Sequence, residues 1–411
     1  MATEGVSDLQ SNAVTRQPTV LVFYWGCFME QSNGSQARVV EAIDHLREVA
    51  HVTVYVYTNN PGSPWTDAAC RTFEERFPGV ALLLEEETLP LRLAQKLKKL
   101  VVHLRPSRAK SVLGLQVPFA APRLARWKTD HPDALYFVNY VENVALVNGV
   151  PWERTIVETH DLQYFRRAKP AGDLASTRNL FRLRHEVATL AASHGIVSIS
   201  RTEDYVYRNL APASQVFYIP TYKRPVPVDL PDADSYDYDL MFVASPNSIN
   251  RLGFAKFVAA NAEWIDNYRI AVCGNLCDVP EIRELASRHA SISLLGFQSD
   301  LLPVYGRSKA CISPSEGTGL NIKIVDALRH TKPVFATREA MSALPPGSEA
   351  CVFHLARDQV ERVLEDPAAL AKARRAAAVY FEQFADAGDL LELDMFLRRM
   401  AEQARPSVPQ Q

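Results

Sequence analysis

Twice along this chain, short runs of β-branched, leucine and aromatic residues alternate with stretches of helical periodicity, and that alternation fixes the class of fold. In the first half the runs are TVLVFYW (19–25), HVTVYVYT (51–58), VALLLE (80–85), ALYFVNY (134–140), TIVETH (155–160) and GIVSIS (195–200). They are apolar almost without interruption, the pattern of strands covered on both faces in a parallel sheet. Helical patterns such as 36–49 and 178–193 lie between them. Ser200 and Glu203 form a capping box that starts a helix directly after the sixth run.

The alternation then breaks at IPTYKRPVPVDLPDADSYDYD (219–239), where four prolines and a run of aspartates read as a linker. It resumes with LMFVAS (240–245), YRIAVCG (268–274), SISLLG (291–296), KACISPS (309–315), KPVFAT (332–337) and ACVFHL (350–355). Asp278 and Ser299 are the expected N-caps of two intervening helices. The pattern predicts an α/β protein of two doubly wound, Rossmann-like domains, residues 18–221 and 239–385, joined by a linker at 222–238. Residues 1–17 and 404–411 are expected to be disordered tails. A long alanine- and leucine-rich helical stretch covers 367–403, and a C-terminal helix at 386–403 is placed to cross back to the first domain. Sheets of this kind bind ligands beyond the carboxyl ends of their strands, so a cleft between the domains is the expected site.

Composition narrows the partners. With 411 residues and 47% apolar content, two sizeable cores can be buried. The 45 basic and 47 acidic residues nearly cancel, which gives no electrostatic reason to expect nucleic acid. The longest apolar run, VLVFYWGCFM (20–29), is about half a membrane span, and the first residues lack the apolar core of a secretory signal. A cytoplasmic protein is expected. Cysteines 27, 70, 273, 277, 311 and 351 show no zinc spacing and read as free thiols.

The stretch SPSEGTGLNIKIVDALRH (313–330) follows an apolar run and leads into a helical pattern. Glycines there let backbone N–H groups approach a ligand, and a helix start near Leu320 adds unsatisfied donors and a positive dipole end that favour an anion. Lys323 on the first turn is in reach of a phosphate, and Asp326 one turn deeper is able to accept from sugar hydroxyls. Taken alone, the same residues describe a solvated strand-to-helix turn. The spacing is neither a Walker P-loop nor a complete GxGxxG, since Ile322 stands where the third glycine would.

The neighbouring motifs carry more. GFQSDLLPVYGRSKACISPSEGTGLNIKIVDALRHTKPVFAT resembles the C-terminal domain of GT-B retaining glycosyltransferases, most closely the group classed as family 4. Glu316-Gly317-Thr318-Gly319-Leu320 matches that group's loop and Asp326-Ala327-Leu328 its helix. Gly319, Lys323 and Asp326 fit its G-x-x-x-K-x-x-E variant. ETHDLQ, GIVSISRTEDY and QVFYIPTY resemble first-domain segments of the same enzymes more loosely. Glu316 and Asp326 stand further apart than the family's two acids, and Thr331 replaces a glycine.

The resemblance implies a GT-B fold and a metal-independent transfer from a nucleotide-diphosphate sugar to a glycan or lipid-linked glycan, with no cofactor. It also implies a site. Glu316, Lys323, His160 and Arg251 are its candidate catalytic residues. Gly317, Thr318, Gly319, Leu320, Asn321, Asp326, Gly34, Asn247, Gly274, Phe297 and Gln298 are its candidate donor contacts. Polysaccharide or lipopolysaccharide synthesis is the implied setting. A nucleotide-sugar epimerase of the same fold and a non-catalytic nucleotide-sugar-binding protein are the alternatives.

Two further features have competing readings. The Asp232-Ala233-Asp234 and Asp237-Tyr238-Asp239 triplets superficially match a metal-binding DxD, but a solvated acidic linker accounts for them better. The run RLAQKLKKLVVHLRPSRAK (92–110) sets Leu93, Leu97, Leu100 and Leu104 at helical spacing beside seven basic residues. Burial of that stripe in the core with a solvated basic face is the first expectation, and attachment to an anionic membrane surface the second.

Overall fold

The computed structural model describes residues 17–31, 33–117, 119–164, 176–226, 236–315 and 319–403. Seven strands form the first sheet: β1 (Thr19–Phe23), β2 (His51–Tyr57), β3 (Ala81–Glu85), β4 (Leu135–Asn139), β5 (Thr155–Glu158), β6 (Gly195–Ser198) and β7 (Gln215–Tyr218). Their order is β3-β2-β1-β4-β5-β6-β7. The second sheet holds β8 (Tyr238–Val243), β9 (Ile270–Cys273), β10 (Ile292–Gly296), β11 (Ser308–Ser313), β12 (Val334–Ala336) and β13 (Val352–His354), ordered β10-β9-β8-β11-β12-β13. Every pairing is parallel. Chain direction across each sheet reverses beside its first strand, between β1 and β4 and between β8 and β11, which opens a crevice at the carboxyl ends there. The result is the GT-B architecture, two Rossmann-like domains.

Successive side chains of a strand face opposite ways, so each sheet feeds two cores. Leu21 and Phe23 join Tyr55 and Tyr57 on one face of the first sheet, while Val20 and Val22 join Phe137 and Phe217 on the other. Both faces are covered, which is why the strands read as unbroken apolar runs. β7 is the strand that the sequence pattern did not separate. Its four residues run straight into Ile219-Pro220, too short for a periodicity to show.

The helices that matter below are α1 (Gly34–Val49), α2 (Leu89–Leu104), α3 (Thr177–Leu190), α4 (Arg201–Leu210), α5 (Ser248–Ala260), α6 (Ile322–Arg329), α7 (Pro367–Asp386) and α8 (Leu390–Gln403). The helical stretch over 367–403 is two helices, divided at Gly388, where the chain passes against Pro220. Beyond the break, Leu393, Phe396, Leu397 and Met400 of α8 lie in the core of the first domain with Val20 and Phe217. Asp389 accepts a hydrogen bond from the Tyr218 N–H at 2.8 Å. Two capping expectations fail. Val279, not Asp278, precedes the helix at 280–287, and Asp278 pairs with Arg283 instead. Leu301 precedes the helix at 302–306, whose first N–H is taken by Asp300 rather than Ser299.

The leucine stripe of α2 points outward, against the first expectation. Leu93, Leu97, Leu100 and Leu104 are 57%, 61%, 52% and 62% exposed. Leu91, Gln95, Lys98 and Val102 form the inner face. Lys98, one of the basic residues expected in solvent, donates to the Leu115 carbonyl, and burial lowers its ammonium to about 8. All six cysteines are free and five are buried. Among the described residues no helix is long and apolar enough to cross a membrane.

Candidate functional site

Glu316, Gly317 and Thr318 lie outside the described residues, as do Asp232 and Asp234. Around the first three the site can be built from its neighbours. α6 begins at Ile322, so Lys323 is on its first turn. Lys323 Nζ donates to Asn250 Oδ1 at 2.7 Å and sits 5.9 Å from the centre of the Phe242 ring. No carboxylate pairs with it among the described residues, and burial lowers its ammonium to about 8.

Asn250, which the sequence places beside Asn247 after β8, is the organiser here. Its Oδ1 also accepts from Ser315 Oγ at 3.1 Å, and its Nδ2 donates to the Ser245 carbonyl at 2.9 Å. It thereby ties the β8–α5 loop to the end of β11. Asn247 acts as the cap of α5, accepting from the Asn250 N–H at 2.9 Å. Gly253, one turn on, makes the approach sterically feasible: a Cβ there would lie 2.2 Å from the Pro314 carbonyl oxygen. The α5 backbone therefore rests directly on the loop that leads into 316–318. Asn321 holds Ser313 Oγ through its amide, at 2.8 Å.

Other expected contacts fall in different places. Leu320 is buried in the second domain's core. Arg251 is half-exposed and pairs at 3.5 Å with Glu281, away from Lys323's partners. Gly274 (φ +96°) brings its backbone against the Ala244 carbonyl. Phe297 is half-exposed after β10, and Gln298 bonds the Leu295 carbonyl at 2.7 Å. Asp237 and Asp239 are engaged by Arg307 and by Arg269 with Lys309, so cations occupy these linker acids.

The first domain supplies the opposite wall. Tyr140 and His160 end β4 and β5 at φ +68° and +60°, a left-handed backbone that costs a non-glycine residue energy. Their rings stack at 4.2 Å. His160 Nε2 donates to Asn139 Oδ1 at 2.9 Å, an acceptor because the Asn139 amide donates to the Phe23 carbonyl. Tyr140 had no motif to announce it, and only its unusual backbone and its stacking mark it. Across the gap, a Cβ on Gly319 (φ +93°) would lie 2.4 Å from Asp161 Oδ1, and one on Gly34 3.0 Å from Ile322. The domains thus meet where α1 and α6 begin.

Asp326 is placed in that contact. Its carboxylate holds Lys223 of the inter-domain connection, and Lys223 also reaches Glu41 of α1 at 3.0 Å. Burial works to lower the Lys223 ammonium, yet Asp326 and Glu41 together hold it above its ordinary value. Behind it, Arg38 pairs with the fully buried Glu158 at 2.5 Å and donates to the carbonyls of Ile219 and Pro220. The start of the connection is thus held to both domains, and Asp326 is committed to a cation.

Three comparisons with known proteins bear on this arrangement. Residues 237–375 match the family model described as Glycosyl transferases group 1. A search of curated proteins finds no match. Among solved structures, sucrose-phosphate synthase from Thermosynechococcus elongatus aligns with a TM-score of 0.64 at 15% identity, covering 95% of this chain and 100% of that one. HepE from Anabaena, solved in complex with UDP-glucose, aligns at 0.58 and 13% identity, covering 94% and 99%. WaaG, a glycosyltransferase involved in lipopolysaccharide biosynthesis, aligns at 0.52 and 14%, covering 93% and 99%. At these identities the likeness is one of fold.

Proposed function

We propose that this chain is a retaining, metal-independent glycosyltransferase that moves a sugar from a nucleotide-diphosphate sugar to a hydroxyl of a glycan or lipid-linked glycan. The observation that carries the reading is Lys323, a desolvated ammonium with neutral partners on the first turn of α6, beside Asn250 of α5. A buried cation of this kind lacks a compensating charge until an anion arrives. The family match of the second domain and the UDP-glucose bound by HepE support a nucleotide sugar as that anion's source. WaaG supports glycoconjugate synthesis as the setting.

In this mechanism the bond from the anomeric carbon to the leaving phosphate oxygen breaks while the acceptor oxygen bonds to the same face of the sugar. The acceptor's proton passes to a leaving phosphate oxygen. Lys323 and the free N–H groups at the start of α6 stabilise the departing diphosphate. Glu316 and the backbone of 317–319 hold the sugar. His160, stacked on Tyr140, borders the acceptor side. Asp326 receives the ribose hydroxyls only by releasing Lys223, which keeps Glu41 as its partner. The exposed leucine face of α2 with its flanking Lys96, Arg105 and Arg108 serves for peripheral attachment to an anionic membrane surface.

A thermal-shift panel of nucleotide sugars tests the reading, with selective stabilisation by one donor as the expected result. With that donor, Lys323→Ala lowers turnover by more than about tenfold. Activity lost in EDTA and restored by manganese would overturn the metal-free part.

A further inference from the structure

A second cavity, apart from the donor cleft, opens in the first domain with a volume of about 350 Å³, within the range that holds small ligands. Its walls are α2 and α3. α2 contributes Lys99, Leu100 and His103, and α3 contributes Arg182, His185 and Glu186. Its floor is Val141 and Glu142, directly after β4, with Gln163 and Tyr164 after β5. These segments continue from Tyr140 and His160, so the cavity lies beside the acceptor wall of the cleft.

Lys99 and Arg182 share the lining with Glu142 and Glu186, and one of these acids is already engaged. Glu186, the deepest acid, spends its two oxygens on the N–H groups of Gln163 and Tyr164, at 2.9 and 3.0 Å. Burial pushes its carboxyl up to about 7, so it carries only part of a charge at neutral pH. Glu142 is the other acid of the lining, beside Lys99, Arg182, His103 and His185. The His185 Nε2 atom is buried without a hydrogen-bond partner. Burial, then Lys99 and His103, lower this ring to about 4, so it is a neutral imidazole with a polar edge unspent. An orphaned imidazole nitrogen beside Lys99 and Arg182, with Glu186 tied to backbone N–H groups, fits a ligand with several acceptor oxygens.

The rim adds the second half of the ligand. Leu100, which lines the cavity, belongs to the exposed stripe of Leu93, Leu97, Leu100 and Leu104. Leu115 is 61% exposed and tied to the same helix by Lys98. An apolar face of this length beside a polar cavity suits an amphiphile and nothing wholly polar.

We propose that this cavity binds the phosphate head of a lipid-phosphate acceptor, with its hydrocarbon chain lying along the leucine face of α2. Lys99 and Arg182 meet the phosphate and His185 bonds an oxygen. The acceptor enters the cleft past Tyr140 and His160. This rests on the glycosyltransferase reading for its catalytic meaning, although the binding itself does not.

Calorimetric titration of the full chain with dihexanoyl phosphatidic acid, which is monomeric in water, separates head recognition from membrane adsorption. Saturable binding is expected, with dihexanoylglycerol and inorganic phosphate each weaker by about tenfold or more, the scale of a lost charged contact or apolar chain. Lys99→Gln and Arg182→Gln each weaken the lipid by about tenfold, while Lys372→Gln, exposed on α7 of the second domain, stays within about twofold. Thermal midpoints of the variants check that they fold. Equal affinity for phosphatidic acid and diacylglycerol, or equal loss in all three variants, overturns the proposal. Inorganic phosphate binding as tightly as the lipid overturns its amphiphilic half. The nucleotide-sugar panel, run on the same protein, keeps the two readings apart. A donor shift without lipid binding defeats only the cavity, and lipid binding without any donor shift defeats only the glycosyltransferase reading.

Discussion

If Lys323 meets the donor diphosphate, binding must be linked to protons in a way that the structure fixes. The empty site holds the Lys323 ammonium at about 8, lowered from 10.5 by burial. A diphosphate against it restores a value at or above the ordinary lysine range of about 10.4. At pH 8 roughly half of the empty sites are neutral, so donor binding takes up about 0.5 proton; at pH 6.5 the uptake falls to about 0.03 and at pH 9 it reaches about 0.9. Affinity should then weaken by about tenfold between pH 7 and pH 9, or about 1.4 kcal/mol. The sign for the empty fold is opposite. A lysine depressed in the folded state contributes stability that is present above its unfolded value and lost as pH falls through about 8.

Titration of the donor in buffers of differing ionisation enthalpy measures the uptake directly. Lys98 and Lys128 also titrate near 8, but they donate to main-chain carbonyls beneath the first sheet and face no donor. Lys323→Ala should therefore abolish the pH 8 uptake along with much of the affinity. Lys323→Arg, charged throughout this range, should bind with no uptake and a flat pH dependence. Uptake near zero in the natural protein at pH 8, or unchanged in Lys323→Ala, would refute the assignment.

Three further outcomes follow from packing and exposure. Gly253→Ala drives a methyl into the Pro314 carbonyl and should cost about 2 kcal/mol in urea unfolding, with weaker donor binding because Pro314 and Ser315 are displaced. Thr331→Gly should stabilise the fold by about 1 kcal/mol in the same assay, since Thr331 sits at φ +56° with its hydroxyl buried and unpartnered. Leu97→Asp should reduce flotation with anionic vesicles while leaving the unfolding midpoint within about 0.5 kcal/mol, because Leu97 is 61% exposed; equal recovery of the natural protein with neutral and anionic vesicles would count against membrane attachment.

The two-domain alternation was legible because burial on both sheet faces writes itself into consecutive residues. The glycosyltransferase resemblance was legible because glycine and proline positions mark turns that side-chain chemistry cannot substitute. Thr331 shows the logic from the other side. The Lys332 N–H bonds the Ala327 carbonyl at 2.8 Å, closing the end of α6 around a left-handed residue, which is the geometry a glycine would satisfy without strain. The orientation of α2 was not legible. Its leucines and its inner residues both recur at helical spacing, and periodicity does not say which stripe meets the core. Gln95 and Lys98 belong inside only because the Leu115 and Leu146 carbonyls await their donors.

Asp326 illustrates a deeper limit. Spacing from Gly319 and Lys323 singled out Asp326 on α6, and the structure pairs its carboxylate with a lysine. Its partner, Lys223, is 103 residues earlier, in a stretch whose prolines and aspartates read as mere connection. The connection instead carries the cation that joins α1 to α6, between a Glu41 carboxyl raised by burial and the Asp326 carboxylate. Because two acids share one lysine, Asp326 can turn to a ligand without leaving Lys223 unpaired. If Asp326 does take the donor, the exchange leaves Lys223 paired with Glu41 and opens the ionic link from α1 to α6, so ligand binding and loosening of that link are one event. A single acid facing Lys223 would have left a buried ammonium without countercharge when it turned to the ligand. The pairing of Glu41 with Asp326 around one cation removes that cost.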